Sequence, residues 1–172
     1  DEPRQRETVL GQISAKLAQQ DLPATAYWAK TMDPEPGALR VVENLIANWA
    51  DRDPANAAKW IDQLENPDRK MHAMNELCGR WALSDPVATA EWLNTYPPSR
   101  SLDRTISTFV NRIHGKDPEG AIGWAQSIAD PKLRQESTAI ALETWRRTDP
   151  AKADSWQRKT GNAQSPGISP KN

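Results

Sequence analysis

A chain of 172 residues carries 22 Lys and Arg against 23 Asp and Glu, a net charge of −1 with its 2 His neutral. That balance excludes the strongly basic face on which phosphate binding depends, so nucleic acid is not an expected partner. The apolar fraction of 37% is low for one thick core, and at a mean hydropathy of −0.79 the chain has no run of ~20 apolar residues to cross a membrane.

One repeated pattern sets the expected elements. Trp28, Trp60, Trp92, Trp124 and Trp156 follow one another at steps of 32 residues, and Asp53-Pro54, Asp85-Pro86, Asp117-Pro118 and Asp149-Pro150 keep the same step. Asp21-Leu22-Pro23 is an earlier copy with one inserted residue, and the column Leu17, Trp49, Trp81, Ile113, Trp145 runs just ahead of each copy. With 8 Trp in so polar a chain, disorder is excluded.

The chain opens on a helix over roughly Pro3 to Gln19, with Leu10, Ile13 and Leu17 as its apolar stripe; helices of this kind are termed B. Asp21 begins the first helix of a second kind, A, which carries Trp28 and stops at Met32-Asp33-Pro34, because the residue before Pro is pushed out of the α region. The next B helix shows the stripe Val42, Leu45, Ile46, Trp49. Asp53 as N-cap, with Pro54 at the first helical position, opens an A helix whose face is Ala57, Trp60, Ile61, Leu64 and which ends at Asn66-Pro67. Met74, Leu77, Cys78 and Trp81 mark the following B helix. Asp85 caps an A helix with Thr89, Trp92, Leu93 and Tyr96, closed by Pro97-Pro98. Ile106, Phe109, Val110 and Ile113 continue the B stripe, and Asp117 caps the A helix carrying Gly120, Gly123 and Trp124, which ends at Asp130-Pro131. A last B helix carries Trp145, and Asp149 caps a last A helix with Trp156, ending near Lys159. About ten helices result, with no segment of strand period.

A short A helix cannot bury a Trp by itself, so each unit must stack on its neighbours. The expected fold is all-α, a solenoid of two-helix repeats over 1–160, with Trp28, Trp49, Trp60, Trp81, Trp92, Trp124, Trp145 and Trp156 as its core. The Gly/Ser/Pro-rich 161–172 read as a flexible tail. Asp154, Gln157 and Thr160 replace apolar columns in the last A helix, as a polar end cap requires.

The stretch Asp53-Pro54-Ala55-Asn56-Ala57-Ala58-Lys59-Trp60 resembles the tetratricopeptide-type helical repeat, which also opens its first helix with Asp-Pro and places Trp at this offset. The likeness covers the Asp-Pro to Trp stretch; the period is 32 rather than about 34, and the Gly and Tyr of that consensus are absent. The pattern is also similar to repeats of uncharacterised planctomycete-like and verrucomicrobial bacterial proteins. The resemblance implies a right-handed superhelix and, by analogy, a scaffold that binds other proteins.

Binding residues are sought in columns that vary while the core repeats. Lys16, Asn48, Arg80 and Arg112 fall 32 apart on successive B helices and form a polar strip suited to the carboxylates of an extended acidic peptide. Glu76, four residues before Arg80, offers the plainer alternative of an intrahelical pair on a solvated face. Gly120 and Gly123 break the A-helix pattern, read either as a close approach of a partner or as drift in a tolerant array; replacing both by Ala is expected to raise stability. The Trp column as a stacking platform for glycans or peptides is the rival to its role as core.

Catalytic chemistry is not expected. His72 and His114 lie in different columns, read as surface residues, and no metal-ligand spacing occurs. Cys78 shares its column with Ile46 and Val110 and reads as a buried thiol. No metal or cofactor is implied. The sequence thus points to a non-catalytic protein or peptide interaction module. Its rivals are a structural subunit docking through an apolar residue such as Ile140 and the helical domain of an enzyme acting on peptide or glycan polymers. The resemblance and a first residue other than Met incline the reading to an exported bacterial protein, and otherwise to a cytoplasmic one.

Overall fold

The computed structural model describes residues 2–32 and 37–163, with side chains over 5–32 and 37–160. These residues form ten helices and no strand: α1 (Glu2–Gln20), α2 (Leu22–Thr31), α3 (Ala38–Ala50), α4 (Pro54–Asp62), α5 (Pro67–Ser84), α6 (Pro86–Leu93), α7 (Asp103–Ile113), α8 (Pro118–Gln126), α9 (Pro131–Thr148) and α10 (Pro150–Ala163). Odd-numbered helices are the B kind and even-numbered ones the A kind.

A single Asp makes each joint from B to A. The side chains of Asp53, Asp85, Asp117 and Asp149 accept hydrogen bonds from the backbone N–H groups of Asn56, Ala88, Gly120 and Lys152 at 2.9–3.1 Å, and Asp21 does the same for Ala24. Each such cap is worth ~1 kcal/mol. The backbone N–H of the same Asp donates to the carbonyl four residues back, that of Leu17, Trp49, Trp81, Ile113 or Trp145, at 2.7–2.8 Å. One residue therefore closes one helix and opens the next.

The A-to-B connections are less regular. Asn66 and Asp130 cap α5 and α9 in the same manner, each followed by Pro. α3 instead starts behind Gly37, whose φ of +86° is a left-handed conformation, and an added Cβ there would lie 2.8 Å from Leu10 Cδ1. α7 starts at Asp103 rather than just after Pro97-Pro98, because a turn through Ser99–Leu102 intervenes, with Leu102 N–H bonded to Ser99 O at 3.0 Å. The Asp33-Pro34 stop falls outside the described residues.

Packing divides the helices into two layers. α1, α3, α5, α7 and α9 lie side by side in one row, each against the next. α2, α4, α6, α8 and α10 each lie against a B helix adjacent in sequence and touch one another marginally at most. Leu45, Ile46, Leu77, Phe109 and Val110 are fully enclosed within the B row and beneath the A helices.

Aromatic rings bridge the joints. Trp49 and Trp60 stand 6.1 Å apart between ring centroids, and Trp81 and Trp92 5.8 Å apart. Where Ile113 replaces the Trp, Phe109 meets Trp124 edge-on at 5.1 Å. Such pairs add ~0.5–1.5 kcal/mol beyond the area they bury. Trp60, Trp81, Trp92 and Trp145 are buried, whereas Trp28, Trp49, Trp124 and Trp156 are half-buried. The eight therefore do not form one uniform core, since four of them, Trp49 of the B row included, stay partly exposed.

Two expectations need correction. In α1 the enclosed residues are Ser14 and Ala18, while Ile13 is 50% exposed. α1 has a B helix on one side only, so one side of its apolar stripe is uncovered. At the other end α10 continues through Ala163 instead of stopping near Lys159; the rest of the expected tail, 164–172, lies outside the described residues.

Trp92 combines burial, the contact with Trp81 and an edge-on contact with Tyr96, so Trp92→Ala is expected to destabilise the chain by ~3–5 kcal/mol in urea unfolding followed by circular dichroism. A loss below ~1 kcal/mol would remove this column from the core.

Candidate functional site

The B row has an edge not covered by A helices, and grooves open along it. One of about 550 Å³ runs between α1 and α3, lined by Glu7, Gln12, Arg40 and Asn44. Another of about 130 Å³ lies between α5 and α7, lined by His72, Asn75 and Arg104. Polar side chains also join the row internally: Asn44 Nδ2 donates to Ser14 Oγ at 2.8 Å, Thr108 Oγ1 to Asn75 Oδ1 at 2.6 Å, and Ser107 and Ser137 share a bond of 3.0 Å.

Lys16, Asn48, Arg80 and Arg112 sit on α1, α3, α5 and α7, one per helix of the row, and no hydrogen bond joins one to another among the described residues. Asn48 is half-buried and donates to Asn44 O at 2.9 Å. Arg80 Nε donates to Glu76 Oε1 at 2.6 Å, the intrahelical pair that the sequence offered as the plainer alternative. Lys16 and Arg112 are exposed and make no ion pair among the described residues. Arg112 reaches across to α5, where the missing side chain of Gly79 leaves it room: a Cβ there would stand 3.7 Å from Arg112 Nη2. The column ends in Thr144, which is buried and bonded to His114 Nδ1 at 2.9 Å, so His114 is a packed residue rather than a surface one.

Cys78 lies beneath this edge, fully buried, with its thiol directed to Thr105 O at 3.6 Å. Burial pushes the thiol pKa up from 9.0 to about 12, against the opposing pull of the nearby Arg112 charge.

On the A side, Gly120, Gly123 and the half-buried Trp124 border an open depression of about 380 Å³ with Asn94 and Ser127. The two glycines are not equivalent. Nothing lies within 4 Å of a Cβ built on Gly123, whereas a Cβ on Gly120 falls on the carboxylate of its own N-cap, Asp117. That carboxylate is the far end of a flexible side chain, and in α6 Ala88 takes the same place while its N–H still donates to Asp85 at 2.9 Å.

Three polar devices are not visible in the sequence pattern. Asp103 is buried, and its two carboxylate oxygens accept from the N–H groups of Ala129 and Asp130 at 2.8 Å, which ties the α8–α9 turn to α7. Arg69, also buried, donates to Ala29 O and Met32 O, reaching from α5 to the end of α2. Tyr96 Oη donates to Asp62 Oδ1 at 2.7 Å and accepts from Trp92 Nε1 at 3.1 Å, while Lys70 Nζ stands 3.2 Å from the same Asp62 oxygen. Burial, then the Asp62 carboxylate, holds the Tyr96 hydroxyl pKa well above its ordinary value. Tyr96 shares its column with Leu64 and Ile128, the one sign in the sequence that a hydroxyl has entered an apolar position.

Among the described residues no group of three or more His, Cys, Asp or Glu is placed to hold a metal ion, and no helix is long and apolar enough to cross a membrane. No protein-family model, curated protein or solved structure matches the chain.

Gly123→Ala and Gly120→Ala are each expected to raise unfolding stability by ~1 kcal/mol, the second with a shift of the Asp117 carboxylate to the place that Asp85 takes beside Ala88. No gain from Gly120→Ala would show that the Asp117 cap depends on the missing side chain. Native Cys78 is expected to be inert to thiol reagents near neutral pH and to react once the chain is unfolded in urea. Its raised pKa contributes stability that is complete below the unfolded value of 9.0 and is lost as pH rises towards about 12. Cys78→Ala should therefore flatten the decline in urea midpoint above pH 9.0, and an unchanged slope would refute that contribution.

Proposed function

We propose that the chain is a right-handed α-solenoid of tetratricopeptide-like repeats and acts, without catalysis, as an interaction module that holds an extended acidic protein segment along the uncovered edge of its B helices. The observation that carries this reading is the uneven spacing of the two layers. B helices pack directly on one another and A helices scarcely do, as in an array that curves with the B row on the inside. Grooves between successive B helices then follow a path that an extended chain can take, and Lys16, Asn48 and Arg112 lie on α1, α3 and α7, helices that border those grooves, with Lys16 and Arg112 exposed and without an ion pair among the described residues. Arg80 is available by exchange of Glu76 for an incoming carboxylate, since that pair is exposed and holds weakly. Arg favours such exchange because its planar fork meets a carboxylate with two hydrogen bonds. The depression at Gly120, Gly123 and Trp124 gives the opposite layer a second place for close approach of a partner.

Fluorescence anisotropy with labelled acidic, neutral and basic peptides of about twelve residues tests the reading, because such a length spans several helices at ~3.3 Å per residue. The acidic peptide is expected to bind about tenfold or more tightly than the other two, to weaken with added salt, and to be lost in the double variant Lys16→Glu, Arg112→Glu with its helical content unchanged. Equal binding of all three peptides, or an acidic affinity unmoved by the double charge reversal, would refute it.

A further inference from the structure

We infer that the pocket between α5 and α7 binds one phosphoryl group, that of a phosphate monoester or of inorganic phosphate. None of its lining residues belongs to the column of Lys16, Asn48, Arg80 and Arg112, so the inference does not depend on the peptide-binding reading. One phosphoryl group needs a single pocket, not the extended basic face that a nucleic-acid backbone requires. The first observation is a buried hydroxyl. Thr105 lines the pocket and is fully enclosed, and its Oγ1 has no hydrogen-bond partner among the described residues. The buried Thr25 and Thr89 instead donate to the carbonyl four residues back, at 2.8 and 2.7 Å. Four residues ahead of Thr105 stands Ser101, in the turn before α7, and no such bond forms. A hydroxyl buried without a partner costs stability, a cost that an acceptor entering the pocket removes.

Comparison with the neighbouring repeats supplies the second observation. At the junction of α3 with α5, the places of His72, Asn75 and Arg104 are taken by Arg40, Glu43 and His72, and Glu43 pairs with Arg40 at 3.3 Å. At the junction of α7 with α9, Glu136 takes the place of Arg104. Each of those junctions brings its own carboxylate. Between α5 and α7 no Asp or Glu among the described residues lines the pocket, and Asp103, next to Arg104, is already held by the N–H groups of Ala129 and Asp130. Arg104 and His72 make no ion pair or hydrogen bond among the described residues. Asn75 gives its Oδ1 to Thr108, which leaves its Nδ2 group without a partner there. The start of α7 adds to this, because Leu102 as N-cap supplies no side-chain bond and the positive end of the helix dipole lies beside Ser101 and Arg104.

Size and donor number select the ligand. A volume of about 130 Å³ is well below the ~300 Å³ of an ordinary ligand cleft, so one small group enters rather than a whole nucleotide. The lining is almost all donor: the Arg104 fork, His72, the Asn75 Nδ2 group and the hydroxyls of Ser101 and Thr105, with Met71 as the apolar member. Together they offer more hydrogens than the about four acceptor sites of a carboxylate can take. A phosphoryl group brings three acceptor oxygens and up to two charges, which meets that set and gives the Thr105 hydroxyl its acceptor.

Two-dimensional amide NMR of the full chain, titrated at constant ionic strength with inorganic phosphate, with acetate and with a short peptide carrying one phosphoserine and no other charge, tests this. Phosphate is expected to half-saturate the site at about 1 mM, with shifts centred on His72, Asn75 and the Ser101–Thr105 segment, and acetate to bind at least about tenfold more weakly. Arg104→Gln should weaken phosphate about tenfold. Thr105→Val should weaken it about fivefold while its urea midpoint without phosphate is no lower than the parent's, since it removes an unbonded hydroxyl and keeps the shape. A phosphopeptide that binds more tightly than phosphate supports the site with a phosphorylated segment as its source, and equal binding supports it with free phosphate or a small ester. Acetate binding as well as phosphate overturns the inference. So do shifts that do not saturate or that scatter over exposed cations such as Lys16 and Arg112, and a Thr105→Val affinity equal to the parent's. None of these variants alters Lys16 or Arg112, so failure here is distinct from failure of acidic-peptide binding.

Discussion

Everything in this structure hangs from an aspartate whose backbone ends one helix while its side chain begins the next. Its N–H satisfies the last turn of the B helix, its carboxylate satisfies the first turn of the A helix, and the proline beside it removes an N–H that would have had no partner. The sharp joint keeps the A helices short: α4, α6 and α8 span 9, 8 and 9 residues. Helices of that length are not stable alone in water, so their order must come from packing on the B row. The tryptophans supply it, reaching across the joint to pair the two helices it connects.

Such an arrangement makes stability a chain of neighbour contacts rather than the property of one centre. Each of α3, α5 and α7 is held by the B helix before it and the one after, through apolar side chains and through a few bonds such as those of Asn44, Thr108 and Ser137. Longer reaches add to this, because Arg69 binds carbonyls at the end of α2 and Asp103 binds N–H groups at the start of α9. The unit lacking its B-column Trp shows how much variation the scheme absorbs. With Ile113 there, Phe109 one turn earlier takes the place against Trp124. Loss of a marker residue is met by its helical neighbour, and the joint itself, capped by Asp117, is unaltered.

Helix number, order and most of the starts were legible in the sequence because their cause is local. An Asp followed by Pro acts through bonds spanning three or four residues, and the apolar spacing acts within one helix. What depends on neighbours was not legible. The stripe of α1 looks like any other B stripe, and only the missing helix on one side leaves Ile13 exposed. Trp28 and Trp60 occupy the same column, yet one is half-buried and the other buried. α3 and α7 start away from their prolines because Gly37 and the Ser99–Leu102 turn solve the connection differently. In the polar strip the sequence placed Asn48, Arg80 and Arg112 on successive helices, but the sharing of Arg80 by Glu76 and the passage of Arg112 over Gly79 are matters of side-chain direction. Asp103 and Arg69 carried no sequence signal, since a charge buried to hold a distant turn looks like any other charge on a helix.

The same neighbour dependence sets what a bound partner does to the protein. In a nearest-neighbour array the end helices open most easily, since each lacks one of its two flanking contacts. α1 is the clearest case, with Val9 and Ile13 uncovered while their counterparts in the interior are sealed. A segment lying along the B edge contacts several helices at once, so its binding energy opposes separation at every junction it crosses.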